Sequence, residues 1–235
     1  MTSSQIRNNR LSIRCFADGF SFYVPQNIGE VRLLQSEQQK EHRLTDEVLK
    51  GLAVTFPDHL PEIQIIVHSK AFRLVPNQLF STKDAAAFLS LFPAANIIPK
   101  LRIEKDDVPD LGCVNVYFTF RWVEMLMKKL SEMNAIFAVE HDITSLINAN
   151  SSKPKGFDPH VSVFVNKKEI SVSAQQRNSL LLANKFSYST TEDVVYHVLN
   201  CCKQLNLSTE TTKVHLAGEV ELHAIKTLLS NYMIV

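Results

Sequence analysis

The chain lacks several features that would assign it to a class of protein at once. Its 235 residues carry a formal net charge of +1, so electrostatics give no reason to expect nucleic acid or a membrane surface as a partner. Its four cysteines include no C-x-x-C spacing, and the adjacent pair Cys201 and Cys202 is poorly placed for a metal or a disulfide. We therefore expect buried, reduced thiols in a cytoplasmic protein.

Long apolar runs and short catalytic motifs are also missing. The longest uncharged run, residues 85–99, is shorter than the ~18–20 residues of a membrane-spanning helix, and Pro93 interrupts it. The first ten residues have no apolar core of the kind that a secretory signal needs. Neither G-x-S-x-G nor a Walker phosphate loop occurs. The sequence therefore predicts a soluble cytoplasmic chain and names no reaction.

The first part of the chain predicts a strand meander followed by a helix and a further strand. The runs "LSIRCF" and "FSFYV" alternate as half-buried strands do, and Asp18-Gly19 between them predicts a hairpin turn. A third strand is expected at 31–34, an amphipathic helix over 43–54 and a buried strand at 63–67.

The last part of the chain predicts the same order of elements. The runs "HVSVFV", "EISVSA" and "SLLLA" predict three strands. A helix over 189–205 follows, and we expect a capping box of Ser189 and Glu192 at its start. A strand at 213–217 and a closing helix over 221–233 complete this part.

The two parts are in register, with an offset of 150 residues over most of their length. Leu11, Ile13 and Cys15 correspond to Val161, Val163 and Val165, and Phe20 and Phe22 correspond to Ile170 and Val172. The offset becomes 151 only at the buried strand, where Ile65 corresponds to Leu216. A constant offset across five elements predicts an internal duplication. The segment 149–159, with its Ser, Lys, Pro and Gly residues, is the expected linker.

The stretch between the two parts predicts a further set of elements. A helix opened by Ser81 with Asp84 in its first turn comes first, and a strand at 112–120 follows. An amphipathic helix is expected over 121–134, where Trp122, Leu126, Leu130 and Met133 form a stripe that we interpret as core. A strand at 135–140 and a helix over 143–150 end this stretch.

This arrangement resembles known proteins. Two units, each with a strand meander followed by a helix and a strand, resemble the ribonuclease H-like lobes of the actin-like ATPase superfamily. Residues 112–149 resemble the pilus-assembly ATPase-like members of that superfamily. Over nearly its full length the chain resembles the bacterial domain-of-unknown-function family 3822. That resemblance is carried by "LSIRCFADGFSFYV", "FRLVPNQLF", "NKFSYSTTEDVVYHVLNCCKQLNL" and "HLAGEVE".

The resemblance implies an α/β fold: a duplicated ribonuclease H-like (actin-like ATPase) fold, with two lobes of mixed sheets flanked by helices. The N-terminal lobe would span 1–150 and include an inserted strand-helix segment, and a truncated C-terminal lobe would span 151–235. It implies no assigned activity.

Active actin-like ATPases hold phosphates through backbone N–H groups of glycine-rich turns, with a carboxylate in each hairpin to position the metal or the water. By this resemblance the nucleotide-site candidates are Asp18, Gly19 and Gly218. The second hairpin has Lys168-Glu169 where the first has Asp18-Gly19, and it contains no glycine. Losing one oriented hydrogen-bond donor from a site that stabilises charge typically lowers the reaction rate ~10²–10³-fold. We therefore expect ATP hydrolysis to be lost.

Two hypotheses of different class follow. The first is a non-catalytic protein with a degenerate actin-like ATPase fold, without a cofactor, that acts through contact with an unidentified protein partner as a scaffold. The alternative is an ATP-binding switch with slow or no hydrolysis, for which Lys167 and Lys168 could bind phosphate as point charges. A ribonuclease H-like nuclease would need several carboxylates on adjacent strands, and we expect the strands to supply none.

Two polar groupings are weaker candidates. His215, Glu219, Glu221 and His223 lie close in sequence, but a strand, a turn at Gly218 and a helix separate them, so we expect no metal there. His141 and Asp142 adjoin, and we expect such sequence neighbours not to face each other.

Overall fold

The structure is a computed structural model that describes residues 10–17, 19–23, 41–90, 92, 102–151, 158–177 and 179–235. The chain divides into two compact units, Met1–Asp107 with Cys113–Asp142, and Val108–Gly112 with Ile143–Val235. The lobe boundary at residue 150 stays a prediction. The strand expected at 31–34 lies outside the described residues, as do residues 152–157 of the expected linker.

The helices and strands have the following bounds in chain order. Up to residue 141 they are β1 (Arg10–Phe16), β2 (Gly19–Tyr23), α1 (Glu41–Thr55), β3 (Glu62–Val67), β4 (Phe72–Pro76), α2 (Ala85–Leu89), β5 (Ile103–Val108), β6 (Cys113–Phe118), α3 (Arg121–Glu132) and β7 (Phe137–His141). From residue 142 they are α4 (Asp142–Ser151), β8 (His160–Val165), β9 (Glu169–Gln176), β10 (Ser179–Ser187), α5 (Thr191–Gln204), β11 (Lys213–Gly218) and α6 (His223–Leu229).

The first unit is built on a four-stranded mixed sheet in the order β2-β1-β3-β7. β2 runs antiparallel to β1, and β3 runs parallel to both β1 and β7. The carboxyl ends of three parallel strands therefore meet at one edge, which is where ligands bind in many α/β proteins. This edge carries the polar residues described in the next subsection.

A second sheet in the first unit, in the order β4-β6-β5, was not anticipated as a sheet from the sequence. It packs on α2 around a small core of Val75, Leu89, Val114, Val116 and Phe118. The helix expected to open at Ser81 begins as a 3-10 turn, Thr82–Asp84, in which the Ser81 side chain accepts from the N–H of Lys83.

The second unit contains a four-stranded sheet in the order β10-β9-β8-β11. One face is apolar, and its valines, with Ile170 and Ala174, pack with α5 and α6. The other face of β9 is polar yet buried, with Ser171, Ser173 and Gln175. Gln175 donates from Nε2 to the carbonyl of Ile147 in α4 at 3.4 Å.

Strand pairing confirms the register inferred from the sequence. In the first hairpin Ile13 pairs with Phe22, and in the second Val163 pairs with Val172. Each residue of the second pair therefore lies 150 positions after its counterpart in the first pair. In the parallel ladders Ile13 pairs with Ile65 and Val163 pairs with Leu216, which reproduces the offset of 151. The duplication therefore extends to backbone pairing.

The start of α5 differs from the prediction by one residue. The N-cap is Thr190, whose hydroxyl accepts from the N–H of Asp193 at 3.2 Å, while the Asp193 carboxylate accepts from the N–H groups of Ser189 and Thr190. These bonds lower the pKa of Asp193. The predicted box of Ser189 and Glu192 is wrong because Thr190, with extended backbone, is the last non-helical residue.

Side-chain burial bears out most of the expected core. Trp122, Leu126 and Leu130 are buried along α3, but Met133 follows the end of the helix and is 52% exposed. All four cysteines are free and buried, as predicted, and burial raises the pKa of Cys201 to about 11. Among the described residues, no helix combines the length and apolar character needed to cross a membrane.

Candidate functional site

In the second hairpin turn, residues 166–169, most backbone N–H groups donate hydrogen bonds to acceptors within the turn itself. Asn166 donates its N–H to the carbonyl of Glu169 at 3.0 Å. The Oδ1 atom of Asn166 accepts from the N–H groups of Lys168 at 2.9 Å and Glu169 at 2.8 Å. A short side chain that accepts from the backbone two residues later is the usual way for Asn to close a turn. Three of the four N–H groups of this turn are therefore bonded within it.

Side chains around the same turn are buried and paired. The Lys185 ammonium on β10 lies 3.3 Å from the Glu169 carboxylate, and both side chains are less than a tenth exposed. The hydroxyl of Tyr188 donates to the carbonyl of Asn166, and the N–H of Tyr188 donates to the carbonyl of Lys168. The turn is consequently fixed from both sides by protein groups.

Gly218, one of the predicted nucleotide residues, ends β11 against the backbone of β8. A Cβ atom at this position would lie 2.3 Å from the carbonyl oxygen of Val165, far inside contact distance. The following N–H, that of Glu219, donates to the same oxygen at 2.9 Å. Close approach between two strands is thus enough to explain a glycine here.

The first hairpin turn holds the other two predicted residues. Asp18 lies outside the described residues. Gly19 pairs with Phe16 across the turn, its φ is not left-handed, and a Cβ there would meet no atom of the described residues within 4 Å. The carbonyl of Phe16 accepts from the indole Nε1 of Trp122 at 3.0 Å. The assignment of Asp18 and Gly19 to a nucleotide stays a prediction.

The carboxyl edge of the first sheet contains a polar cluster, of which the sequence showed only the neighbours His141 and Asp142. Asp142 lies between two histidines: its Oδ2 is 3.2 Å from Nδ1 of His68, and its Oδ1 is 3.4 Å from Nδ1 of His141. All three side chains are less than a twentieth exposed. The expectation that His141 and Asp142 would not face each other is wrong, because β7 ends and α4 begins between them. We call these three residues the His–Asp–His cluster.

A second carboxylate adjoins this cluster. Asp106 on β5 accepts from the N–H of His141 at 2.7 Å and from the hydroxyl of Tyr117 at 3.0 Å. Burial, followed by the charge of Asp106, raises the pKa of Tyr117 well above its ordinary range. Asp106 therefore acts as a buried acceptor that joins β5, β6 and β7.

The expectation that the strands supply no carboxylates is also wrong, since β5 carries Glu104, Asp106 and Asp107 and β7 carries Glu140. Even so, within the described residues there is no group of three His, Cys, Asp or Glu side chains that could hold a metal ion. The predicted separation of His215 and His223 agrees with their places on β11 and α6.

Of the three predicted nucleotide residues, Asp18 lies outside the described residues, Gly19 belongs to the first unit and Gly218 to the second, so a nucleotide site formed by them stays a prediction. Within the units, the described residues form one closed turn and one buried polar cluster. The closed turn had a signal in the sequence, namely Asn at the first position of the turn. The cluster had only the adjacency of His141 and Asp142 as a signal, because its third member, His68, lies more than 70 positions earlier in the chain.

Comparison with known proteins gives the fold. A protein of unknown function with an actin-like ATPase fold from Bacteroides thetaiotaomicron VPI-5482 is 24% identical, with a TM-score of 0.70 over 99% of this chain and 91% of that chain. The PilM-PilN type IV pilus biogenesis complex matches with 12% identity and a TM-score of 0.53, over 96% of this chain and 86% of that chain. A search of curated proteins gave no match.

The family comparison covers almost the whole sequence. The profile described as "Protein of unknown function (DUF3822)" matches residues 1–234. The chain therefore belongs to the DUF3822 family and has an actin-like ATPase fold.

Proposed function

We propose that this protein is a non-catalytic actin-like scaffold that acts in the cytoplasm through contact with another protein. The observation that carries the proposal is the closed turn at 166–169, where Asn166 occupies the N–H groups of Lys168 and Glu169. A phosphate cradle needs such N–H groups to point at the ligand.

Opening the turn for a phosphate would be costly. Asn166 is buried, and its Oδ1 would lose two donors. Leaving a buried polar group unsatisfied costs about 1–3 kcal/mol. Tyr188 and the buried Lys185–Glu169 pair would also have to move. These terms oppose binding before any contact with the ligand is made.

We expect isothermal titration with ATP and Mg²⁺ to show no binding up to about 1 mM, the concentration at which even a weak site of about −4 kcal/mol is half filled. The closed turn is the physical reason. Micromolar binding that disappears in Asp18→Ala would contradict the proposal.

The alternative, an ATP-binding switch with slow or no hydrolysis, is favoured by two observations. Lys167 is exposed at the tip of the second turn, and no atom of the described residues lies within 4 Å of a Cβ built at Gly19. Lys167→Ala is the matched variant for this alternative: if ATP binds and this change weakens the affinity at least tenfold, the lysine holds the phosphate as a point charge.

A protein partner is supported by the fold shared with PilM, which was solved in complex with PilN. An exposed aromatic group in the second unit offers a surface for such contact. Tyr196 on α5 is 62% exposed and packs edge-on against His197, whose ring stacks on Phe186 at 4.7 Å. Aromatic side chains dominate binding energy at protein interfaces.

We expect the tagged full chain to retain a specific protein that Tyr196→Ala no longer retains, because truncation removes the exposed ring. Capture followed by mass spectrometry measures this. Tyr232→Ala, which truncates another exposed tyrosine, is the matched control. Equal recovery with both variants would exclude this surface, and failure of any protein to be enriched over an unrelated bait would count against the scaffold role.

A further inference from the structure

The second sheet of the first unit has β4 as an edge strand. In the order β4-β6-β5, β4 pairs with β6 and, within the described residues, with no other strand. Pro76 ends β4, and a proline, which has no N–H, is usual on an edge strand. An edge strand presents backbone N–H and C=O groups that can pair with an added chain.

The register of β4 identifies which of its backbone groups face outward. The N–H of Phe118 donates to the carbonyl of Ala71 at 3.2 Å, so Ala71 and, two residues later, Arg73 direct their backbone groups toward β6. The backbone groups of Phe72 and Leu74 alternate with these and therefore point away from β6. No strand among the described residues takes up these outward groups.

The side chain of Arg73 lies next to this edge and is exposed. It is on the same face of β4 as Val75, which belongs to the core under α2. The Cζ atom of Arg73 lies 4.7 Å from the centre of the Phe92 ring, a cation–π distance. Lys105 pairs with Asp107, whereas no carboxylate of the described residues pairs with Arg73. A guanidinium stacked on a ring can still bind a carboxylate through its planar N–H groups.

The sequence around β4 is positive, although the whole chain has a formal net charge of only +1. Residues 70–90 contain three basic side chains, Lys70, Arg73 and Lys83, and one acidic side chain, Asp84. All four residues are exposed. Charge complementarity at an interface favours a partner of opposite sign, so this edge fits an acidic ligand.

We propose that the outer edge of β4 binds an extended acidic segment of a partner protein as an added strand, with a carboxylate of that segment bonded by Arg73. Such a strand satisfies the outward backbone groups of Phe72 and Leu74. The residue opposite Arg73 lies on the same face as the guanidinium, where its carboxylate can accept two N–H groups.

The two faces of the added strand have different chemistry. Residues that alternate with the acidic position fall on the other face, beside the partly buried Leu74. The segment is therefore acidic at one set of alternate positions and apolar at the other, and main-chain bonds to β4 supply the rest of the affinity. The proposal goes beyond the scaffold role, because this edge belongs to the first unit and does not depend on the Tyr196 surface of the second.

The test is fluorescence anisotropy of the full chain with a fluorescein-labelled octapeptide in which Glu alternates with Val and both ends are blocked. We expect the wild type to bind this peptide. Arg73→Ala should weaken the affinity at least about tenfold, because a charge-assisted hydrogen bond is lost. Arg73→Lys should recover only part of the affinity, since an ammonium has no planar fork. Lys128→Ala, which removes an exposed cation from α3, and Tyr196→Ala should bind like the wild type.

Two further peptides test whether the segment binds as a strand. One carries N-methyl groups on its Val residues and the other on its Glu residues, so each lacks one alternate set of backbone donors. Successive N–H groups of a strand point to opposite sides, so only one set can face β4. We therefore expect only one of the two methylated peptides to lose binding.

Several results would overturn the proposal. They are no binding by the wild type at about 1 mM peptide, equal affinities of Arg73→Ala and the wild type, or equal affinities of the two methylated peptides. If Arg73→Ala does not fold, a peptide with Gln in place of Glu decides with the wild-type protein, and unchanged affinity for it overturns the role of Arg73. Failure of the Tyr196 capture experiment leaves these measurements unaffected, so failure of either proposal is distinguishable from failure of the other.

Discussion

Gly218→Ala is expected to lower the free energy of unfolding of the second unit by about 3 kcal/mol, at the upper end of the usual cost of overpacking. The added Cβ would lie 2.3 Å from the carbonyl oxygen of Val165. Neither partner is the flexible end of a side chain, since Gly218 pairs with Val165 in the parallel ladder of β11 and β8. Relief therefore requires the strands to separate where the N–H of Glu219 also bonds to that oxygen.

Urea unfolding followed by circular dichroism measures this effect, and Gly19→Ala is the matched control. Both glycines were singled out as nucleotide candidates, but a Cβ at Gly19 meets no atom of the described part of the chain within 4 Å and its φ is not left-handed. Gly19→Ala should therefore change stability by no more than about 0.5 kcal/mol. If the two variants unfold alike, the steric account of Gly218 is wrong.

Lys185→Met is expected to destabilise the second unit by about 3–5 kcal/mol, because it removes the opposite charge from a buried carboxylate. Glu169 lies 3.3 Å from the Lys185 ammonium, and both side chains are less than a tenth exposed. Adding Glu169→Gln should recover most of the loss, since no charge then remains in the pair. The coupling energy of the double-mutant cycle is the quantity to measure.

The exposed pair Lys129–Glu132 on α3 serves as the control for this cycle. Its nitrogen and oxygen are 3.0 Å apart, yet about half of each side chain is exposed. Lys129→Met should therefore cost no more than about 1 kcal/mol, because solvent screens such pairs. A loss in Lys185→Met as small as that in Lys129→Met would contradict the argument from burial.

The sequence was most informative where one face of a strand is buried. Leu11, Ile13 and Cys15 alternate toward the core, so a slip of one residue would expose all three, and register follows from the pattern. The same alternation located the second hairpin and showed where the offset between the two parts changes from 150 to 151 residues. It also placed α3, whose apolar stripe has the helical period, although Met133 fell beyond the end of the helix.

The sequence was least informative where distant residues meet. In the sheet β4-β6-β5, β4 pairs with β6 about 40 residues later in the chain, and alternation within a strand does not identify its neighbour. The His–Asp–His cluster depends on parallel strands that bring residues 68 and 142 to one edge. The capping box moved by one residue because Ser189, Thr190 and Thr191 are all chemically able to cap a helix, and only the backbone angle selects among them.

The equal spacing of the two hairpins restricts how the halves have diverged since they were copied. Cys15 pairs with Phe20 and Val165 with Ile170, so neither copy has gained or lost a residue across its hairpin turn. The single extra residue lies between the hairpin and the parallel strand of the later copy. Insertions have thus been tolerated in the connections and not at the corners, so exchanging one four-residue corner for the other would give a chimera that keeps both ladders intact.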